Sequence, residues 1–232
     1  MTRFDTLKGA SIAFDLDGTL VDTAPDLVRA LNESIAPFGL GPVPVADVRA
    51  MVGRGARALI ERAFTRAGAP LDPEVTESAL AHFLQTYGDD IAAHSRPFEG
   101  VEATLDLLAA SGARLSVCTN KPGALARLLM DTLDLSARFE RICGPEDAPA
   151  KKPDPAHLLA AVGPGAPERF IALVGDSEPD ALAARAAGAP CLLFLGGYSE
   201  KPVSTLGADR LFGHFHDLPR MLAELAAVRE KR

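Results

Sequence analysis

The stretch Phe14-Asp15-Leu16-Asp17-Gly18-Thr19-Leu20-Val21-Asp22 closes a short apolar run, Ile12 to Phe14, with two acids two residues apart. In an extended chain residues i and i+2 point to the same side, and Gly18 then lets the chain turn. Two carboxylates held this close repel each other and need a proton or a cation to coexist. A divalent metal on Asp15 meets that need, and hard oxygen ligands suit Mg2+. The plainer alternative is an acidic turn after a buried strand.

The run at 12–14 is the first of a series: Leu115 to Cys118, Arg141 to Cys143, Phe170 to Val174, Cys191 to Leu195 and Arg210 to Phe212. Most are continuous rather than alternating, as in strands buried on both faces of a parallel sheet. A helical pattern follows each, so the expected fold is α/β, a Rossmann-like doubly wound parallel sheet. From Thr23 to Ser95 the alternation breaks and only helices are legible. Leu27, Ala30, Leu31 and Ser34 start one stripe; Leu59, Ile60, Ala63 and Phe64 form a second; Pro73 to Ala93 is a third helical region. We therefore expect an all-α cap at residues 23–95, inserted after the first strand of a core made of residues 1–22 and 96–232. Proline and small residues near Thr23–Pro25 and His94–Pro97 suit linkers.

A length of 232 residues is enough for this arrangement, and 47% apolar with 24% charged residues is ordinary for a globular chain. The net charge of -7 offers no basic patch, so neither nucleic acid nor an anionic membrane is an expected partner. No run is apolar and long enough to span a bilayer. The opening MTRFDTLKGASIAFD has no apolar secretory segment. Cys118, Cys143 and Cys191 each sit in an apolar run and read as reduced core thiols. A cytoplasmic location is expected.

Three further segments matter because of where they fall. Thr119-Asn120 puts a hydroxyl and an amide at the end of a strand. Lys152-Pro153-Asp154-Pro155 puts a cation before a helix. Asp176-Ser177-Glu178-Pro179-Asp180 puts acids after another strand. Ligands of open α/β sheets bind outside the carboxyl ends of the strands, so these groups would converge with Asp15 and Asp17 on one edge. Each also has an ordinary use. Thr119 or Asn120 could cap the helix near Pro122; Ser177 with Asp180 matches a capping box; Lys152 could be solvated beside Lys151.

DxDGTLVDT at 15–23, CTN at 118–120, KPDP at 152–155 and GDSxxD at 175–180 follow the motif order of the haloacid dehalogenase superfamily, and the chain resembles its phosphatases over nearly its whole length. VGRGARALIERA at 52–63, SRPFEGV at 95–101 and Gly197-Tyr198 resemble the bacterial phosphoglycolate phosphatases. The resemblance implies a Mg2+-dependent phosphomonoester hydrolase acting on a small phosphorylated metabolite. Asp15 would be the nucleophile and Asp17 the general acid and base. Thr119 and Lys152 would hold the phosphoryl group, with Asn120 beside it. Asp176 would bind the metal with Asp15 and the Asp17 carbonyl, and Asp180 would support it. Caps of this kind also serve sugar phosphates, pyrophosphate and phosphosugar mutation, and a silent binding module on the same fold is the alternative from another class. A phosphonate hydrolase would need a cap lysine, and residues 23–95 contain none.

Two departures and one false lead complete the reading. Glu178-Pro179 replaces the more usual pair before the last acid of its motif. His214 and His216 share a face if extended, and a surface or packing role is expected. Gly53-Arg54-Gly55-Ala56-Arg57-Ala58 matches a dinucleotide fingerprint, but the segment before it, Val48 to Val52, reads helical. We expect a cap loop facing the site, with Gly53 close to substrate and Arg54, or failing it Arg57, on the substrate's distal carboxylate.

Overall fold

The strands of the main sheet are short apolar runs because nearly every side chain in them is covered. In β1 (Ser11–Phe14) all four residues are buried. Ile12 and Phe14 join one apolar cluster and Ala13 the other, so β1 is the seam between two core layers. The structure is a computed structural model that describes residues 4–165 and 169–229.

Five strands join β1 in one parallel sheet: β4 (Arg114–Cys118), β5 (Arg141–Cys143), β6 (Ile171–Gly175), β7 (Cys191–Phe194) and β8 (Arg210–Phe212). The order is β5-β4-β1-β6-β7-β8. The chain thus moves outward on one side of β1 and then on the other, which makes the edge at β1 the switch point. Phe14 is level with Val117 on one side and Val174 on the other. That register brings the chain just past each strand, at 15, 119 and 176, to one place. The helices α7 (Pro155–Val162) and α8 (Glu178–Ala186) cover one face. The other is covered by α5 (Val101–Ala110), α6 (Gly123–Thr132) and α9 (Leu218–Arg229).

The doubly wound parallel sheet expected from the sequence is present. The strand expected from Phe170 begins at Ile171 and runs to Gly175, and the run from Cys191 stops at Phe194, with Leu195 55% exposed beyond it. Between sheet strands β1 and β4 lie α1 (Ala24–Ile35), α2 (Val45–Arg49), α3 (Ala56–Arg66) and α4 (Pro73–Asp89). The third of the expected helical regions therefore ends at Asp89, short of Ala93. A two-stranded antiparallel ribbon, β2 (Val21–Asp22) with β3 (Arg96–Pro97), ties the ends of this helical segment together; nothing in the sequence pattern announced it. Buried Asp26 adds to the tie by accepting bonds from Ser95 N at 2.7 Å, Ser95 Oγ at 2.6 Å and His94 N.

No strand leads directly into Gly53: α2 is helical, and Gly53 and Gly55 take φ of +103° and +93°, a turn that starts α3. The fingerprint at 53–58 is thus a loop and helix start within the helical segment, not a strand-to-helix turn. Cys118, Cys143 and Cys191 are all free and buried, and burial pushes each thiol up, Cys143 to about 11. His214 and His216 stack on each other at the surface, 5.3 Å between ring centres.

Candidate active site

Asp15 is the first residue past β1. Its Oδ1 accepts from Leu16 N at 2.8 Å and lies 2.9 Å from Lys152 Nζ. No hydrogen bond is made to Asp15 Oδ2 among the described residues. Lys152 is 1% exposed and also reaches Asp180 Oδ1 at 2.7 Å. Burial opposes its charge, but Asp15 and Asp180 outweigh that and push the ammonium up. Lys152 is thus a fixed cation, not one of a solvated pair.

The loop holding Lys152 is itself pinned. His157 Nδ1 accepts from Lys152 N at 3.0 Å, and its Nε2 bonds the Gly144 carbonyl at 3.0 Å. Burial, with Lys152 adding to it, holds His157 down at about 4, so the ring is neutral with its proton on Nε2. Asp154 caps α7 through Ala156 N, with Pro155 opening the helix. Sequence reasoning did not single out His157, since nothing in its position marks it as the partner of the Lys152 loop.

Asp176 follows β6 and is 1% exposed. Thr19 Oγ1 donates to its Oδ1 at 3.2 Å, and Tyr198 N donates to its Oδ2. A Cβ on Gly18 would stand 2.5 Å from Asp176 Oδ2, so a glycine is needed for the first loop to pass here. Asp180 Oδ2 accepts from Asp176 N, Ser177 N and Ser177 Oγ. The capping interaction expected of Ser177 and Asp180 is therefore made, and the same carboxylate holds Lys152 with its other oxygen. Both Asp180 oxygens are taken.

Ligand atoms of Asp15, Asp176 and Asp180 lie within 4.8 Å of one another. Three buried carboxylates against Lys152 leave an excess of two negative charges, the charge of one divalent cation. Burial, then Asp180 and Asp17, push Asp15 up to about 6 against the pull of Lys152. Burial and the neighbouring acids push Asp176 up as well. An all-oxygen, charge-starved set fits Mg2+ rather than a thiolate- or imidazole-preferring metal.

Asp17 turns to a different cation. Its Oδ1 accepts from Lys121 Nζ at 3.0 Å and from Thr23 Oγ1 at 2.8 Å. The two acids of the opening motif thus avoid each other by taking a lysine each. A cleft of about 490 Å³, its open mouth included, lies above them. Asp15, Asp17, Thr119, Asn120, Lys121 and Gly53 line it together with apolar Leu27, Val52, Leu59, Phe83 and Leu125. Thr119 Oγ1 accepts from Lys121 N at 3.2 Å. Asn120 donates both amide hydrogens, to Gly53 O and Lys152 O at 3.0 Å each, and so tethers the loop at Gly53 to the lysine loop. Neither caps α6, whose N-cap is Pro122.

Residues 12–194 match the haloacid dehalogenase-like hydrolase family. The chain is 51% identical over 221 residues to a protein of Caulobacter vibrioides named phosphoglycolate phosphatase, covering 95% of this chain and 93% of that one.

The chain belongs to the haloacid dehalogenase-like hydrolases.

A Rhodospirillum rubrum member of the family, also named phosphoglycolate phosphatase, is 42% identical and covers 90% of this chain and 88% of its own. Among solved structures, a predicted phosphoglycolate phosphatase from Haemophilus somnus superposes with a TM-score of 0.84 at 30% identity, covering 93% of this chain and 98% of that chain. CbbY from Rhodobacter sphaeroides, in complex with phosphate, shares the fold, with a TM-score of 0.72 at 24% identity and coverage of 90% and 95%.

Arg54, expected on the substrate's carboxylate, is not among the residues that line the cleft. It is half exposed and pairs with Glu178 at 3.2 Å and Glu200 at 3.9 Å. Left-handed backbone at Gly53 turns the chain so that the loop's carbonyl faces Asn120 while the arginine points outward. Arg57 pairs with Glu77 at the surface. Sequence reasoning also passed over Lys121 and Tyr87, and gave no role to Thr19 and Tyr198. Lys121 was one residue beyond a quoted motif, a buried charge directly before Pro122.

Proposed function

We propose that this hydrolase is a Mg2+-dependent phosphatase that works through a phosphoryl group carried on Asp15, and that its substrate is 2-phosphoglycolate. The observation that carries the mechanism is the buried cluster of Asp15, Asp176 and Asp180 around Lys152, opening onto the cleft at Asp15. The substrate reading is supported by the names of the relatives, at up to 51% identity over almost the whole chain.

In the first step Asp15 Oδ attacks phosphorus and the bond to the leaving oxygen breaks. Asp17, on the cleft side, gives that oxygen its proton. Lys152 neutralises charge on the phosphoryl group, and Thr119, whose hydroxyl proton is unspent among the described residues, donates to a phosphoryl oxygen. In the second step Asp17 takes a proton from water as the water attacks phosphorus, and phosphate leaves Asp15. Asp15, Asp176 and the Asp17 main-chain carbonyl would hold Mg2+, with Asp180 positioning Lys152 behind them. The ion, when bound, offsets the charge of the phosphoryl oxygens and lets dianion and carboxylate approach. Residues 23–95 act as a cap that keeps water out of the first step. Three buried reduced thiols support a cytoplasmic location.

Mass spectrometry of the enzyme quenched during turnover should find phosphate on Asp15, and Asp15→Asn should lower turnover by at least about 10⁴-fold. Phosphate on any other residue would end this reading of the mechanism. Assay against a panel of phosphorylated metabolites tests the substrate; a sugar phosphate turned over faster than 2-phosphoglycolate would replace it.

A further inference from the structure

With Arg54 turned outward, the cleft must recognise an anionic leaving group some other way. Among the described residues lining it, Lys121 is the one cation. Lys121 is 6% exposed and stands on the core loop after β4. Its Nζ donates to both Asp17 oxygens, at 3.0 and 3.3 Å, and to the Tyr87 hydroxyl at 2.8 Å. An ammonium has three hydrogens, and the one on the longer contact, to Asp17 Oδ2, is the one a ligand carboxylate would draw away. Tyr87, on α4 of the helical segment, is 1% exposed and packed flat against Phe83, 5.8 Å between ring centres. Its oxygen accepts from Lys121, and no acceptor takes its own proton among the described residues. Burial, then Asp17 and Asp26, push the phenol well up, so that proton stays in place. The surrounding wall is apolar, formed by Leu27, Leu59, Phe83 and Leu125. A charged hydrogen bond is stronger in such a setting than in water.

Geometry then fixes where a carboxylate must fall. Asp17 has to touch the leaving oxygen to protonate it. In 2-phosphoglycolate one methylene separates that oxygen from the carboxylate carbon. A cation 3.0 Å from the Asp17 carboxylate is therefore within reach of the substrate's carboxylate, whereas Arg54, paired with Glu178 outside the cleft, is not. We infer that Lys121 and Tyr87 form the subsite for the leaving group's carboxylate, one donor from the core and one from the cap. This rests on the 2-phosphoglycolate reading and names the residues that would enforce it. A neutral phosphomonoester would leave the phenol proton unpaired in a dry wall, which is itself a penalty.

The test compares 2-phosphoglycolate with ethyl phosphate, the same chain length without the carboxylate. The unaltered enzyme should favour 2-phosphoglycolate strongly in kcat/KM. Lys121→Met should lower kcat/KM for 2-phosphoglycolate by about 100-fold or more, the usual scale for losing one partner of a buried charged contact. Ethyl phosphate should lose less than about tenfold, the share owed to Asp17 losing its neighbour. Tyr87→Phe keeps the ring and its packing, and should lower the preference about fivefold, mainly through KM. It also keeps the test open if Lys121→Met does not fold, and an unchanged preference in Tyr87→Phe would overturn the paired subsite. Equal losses on both substrates in Lys121→Met would make Lys121 a holder of Asp17 and nothing more. No preference in the unaltered enzyme would instead remove the substrate reading, and the subsite with it.

Discussion

On the core side of the cleft, Asp15, Lys152, Asp176 and Asp180 are each at most 5% exposed, and each ion-pairs, hydrogen-bonds or shares a ligand sphere with another. On the side of the helical segment, the arginines that looked chemical are half exposed and paired with surface glutamates, while the wall itself is Leu27, Leu59, Phe83 and Tyr87. The core side spends desolvation on holding unlike charges in one geometry, which suits a reaction common to all phosphomonoesters. The other side has almost no charge to spend, and can select only by shape and by the two donors at Lys121 and Tyr87. Mutations on the two sides should therefore differ in size and in kind.

The largest effect should come from Lys152→Met. It leaves three buried carboxylates without their cation, and breaking such a pair on one side costs about 3–5 kcal/mol. Without Mg2+ the midpoint of urea unfolding should fall accordingly, and added Mg2+ should recover part of the loss. Turnover should drop by at least about 10³-fold for every phosphomonoester alike. A loss confined to one substrate would blur the contrast between the two sides.

The next effect is a pH dependence of the same cluster. Asp15 is raised in the folded state to about 6 from an ordinary 3.8, and Asp176 is raised too. A carboxyl raised on folding adds stability below its unfolded value and loses it as pH climbs through the folded one. Metal-free protein should thus lose on the order of 3 kcal/mol from Asp15 between about pH 4 and pH 7. Mg2+ binds the ionised carboxylates, so the rise in melting temperature on adding it should be larger at pH 8 than at pH 5. Equal rises at both would mean that the cluster does not hold the ion.

His157 gives a smaller effect of the opposite sign. It is held down at about 4 from an ordinary 6.5, so its contribution is complete above pH 6.5 and fades as pH falls toward 4. His157→Gln should cost about 1–2 kcal/mol at pH 7, because the Lys152 amide or the Gly144 carbonyl loses its partner. At pH 4 the difference between variant and unaltered protein should shrink. Chemical denaturation at the two pH values measures it.

The core side was legible in the sequence because its residues sit just past apolar runs, where strand order alone brings them together. Asp15 and Asp176 need only the register that levels Phe14 with Val174. The tie at β2 and β3 was not legible, since two residues show no periodicity. The cap side was hidden for a different reason. Leu27, Leu59, Phe83 and Tyr87 come from three separate helices, and in each they look like ordinary buried stripes. Helical period tells which face is covered but not which covered face borders a cleft. Arg54 drew attention because charge next to glycine suggests a ligand site, whereas in the structure the turn at Gly53, with φ of +103°, is followed by a side chain paired with Glu178.

The smallest effect sharpens the comparison most, because it falls on the residue whose sequence context promised the most. Arg54 meets Glu178 at 3.2 Å, and Glu178 also holds Lys201 at 2.6 Å. Lys201, with Arg54 adding to it, holds the Glu178 carboxyl down. The departure from the usual motif at 178 thus serves a surface ion cluster that joins α3's entry to the core, rather than the metal. Exposed pairs of this sort are weak and screened by salt. Arg54→Ala should change kcat/KM for 2-phosphoglycolate by less than about threefold, and the unaltered enzyme should lose a similar margin in 0.5 M KCl if the cluster helps the cap to close. An Arg54→Ala loss approaching that of Lys121→Met, on 2-phosphoglycolate but not on ethyl phosphate, would return the arginine to the cleft in the closed enzyme. In that case the cap side would carry charge after all, and the division of labour between the two walls would have to be redrawn.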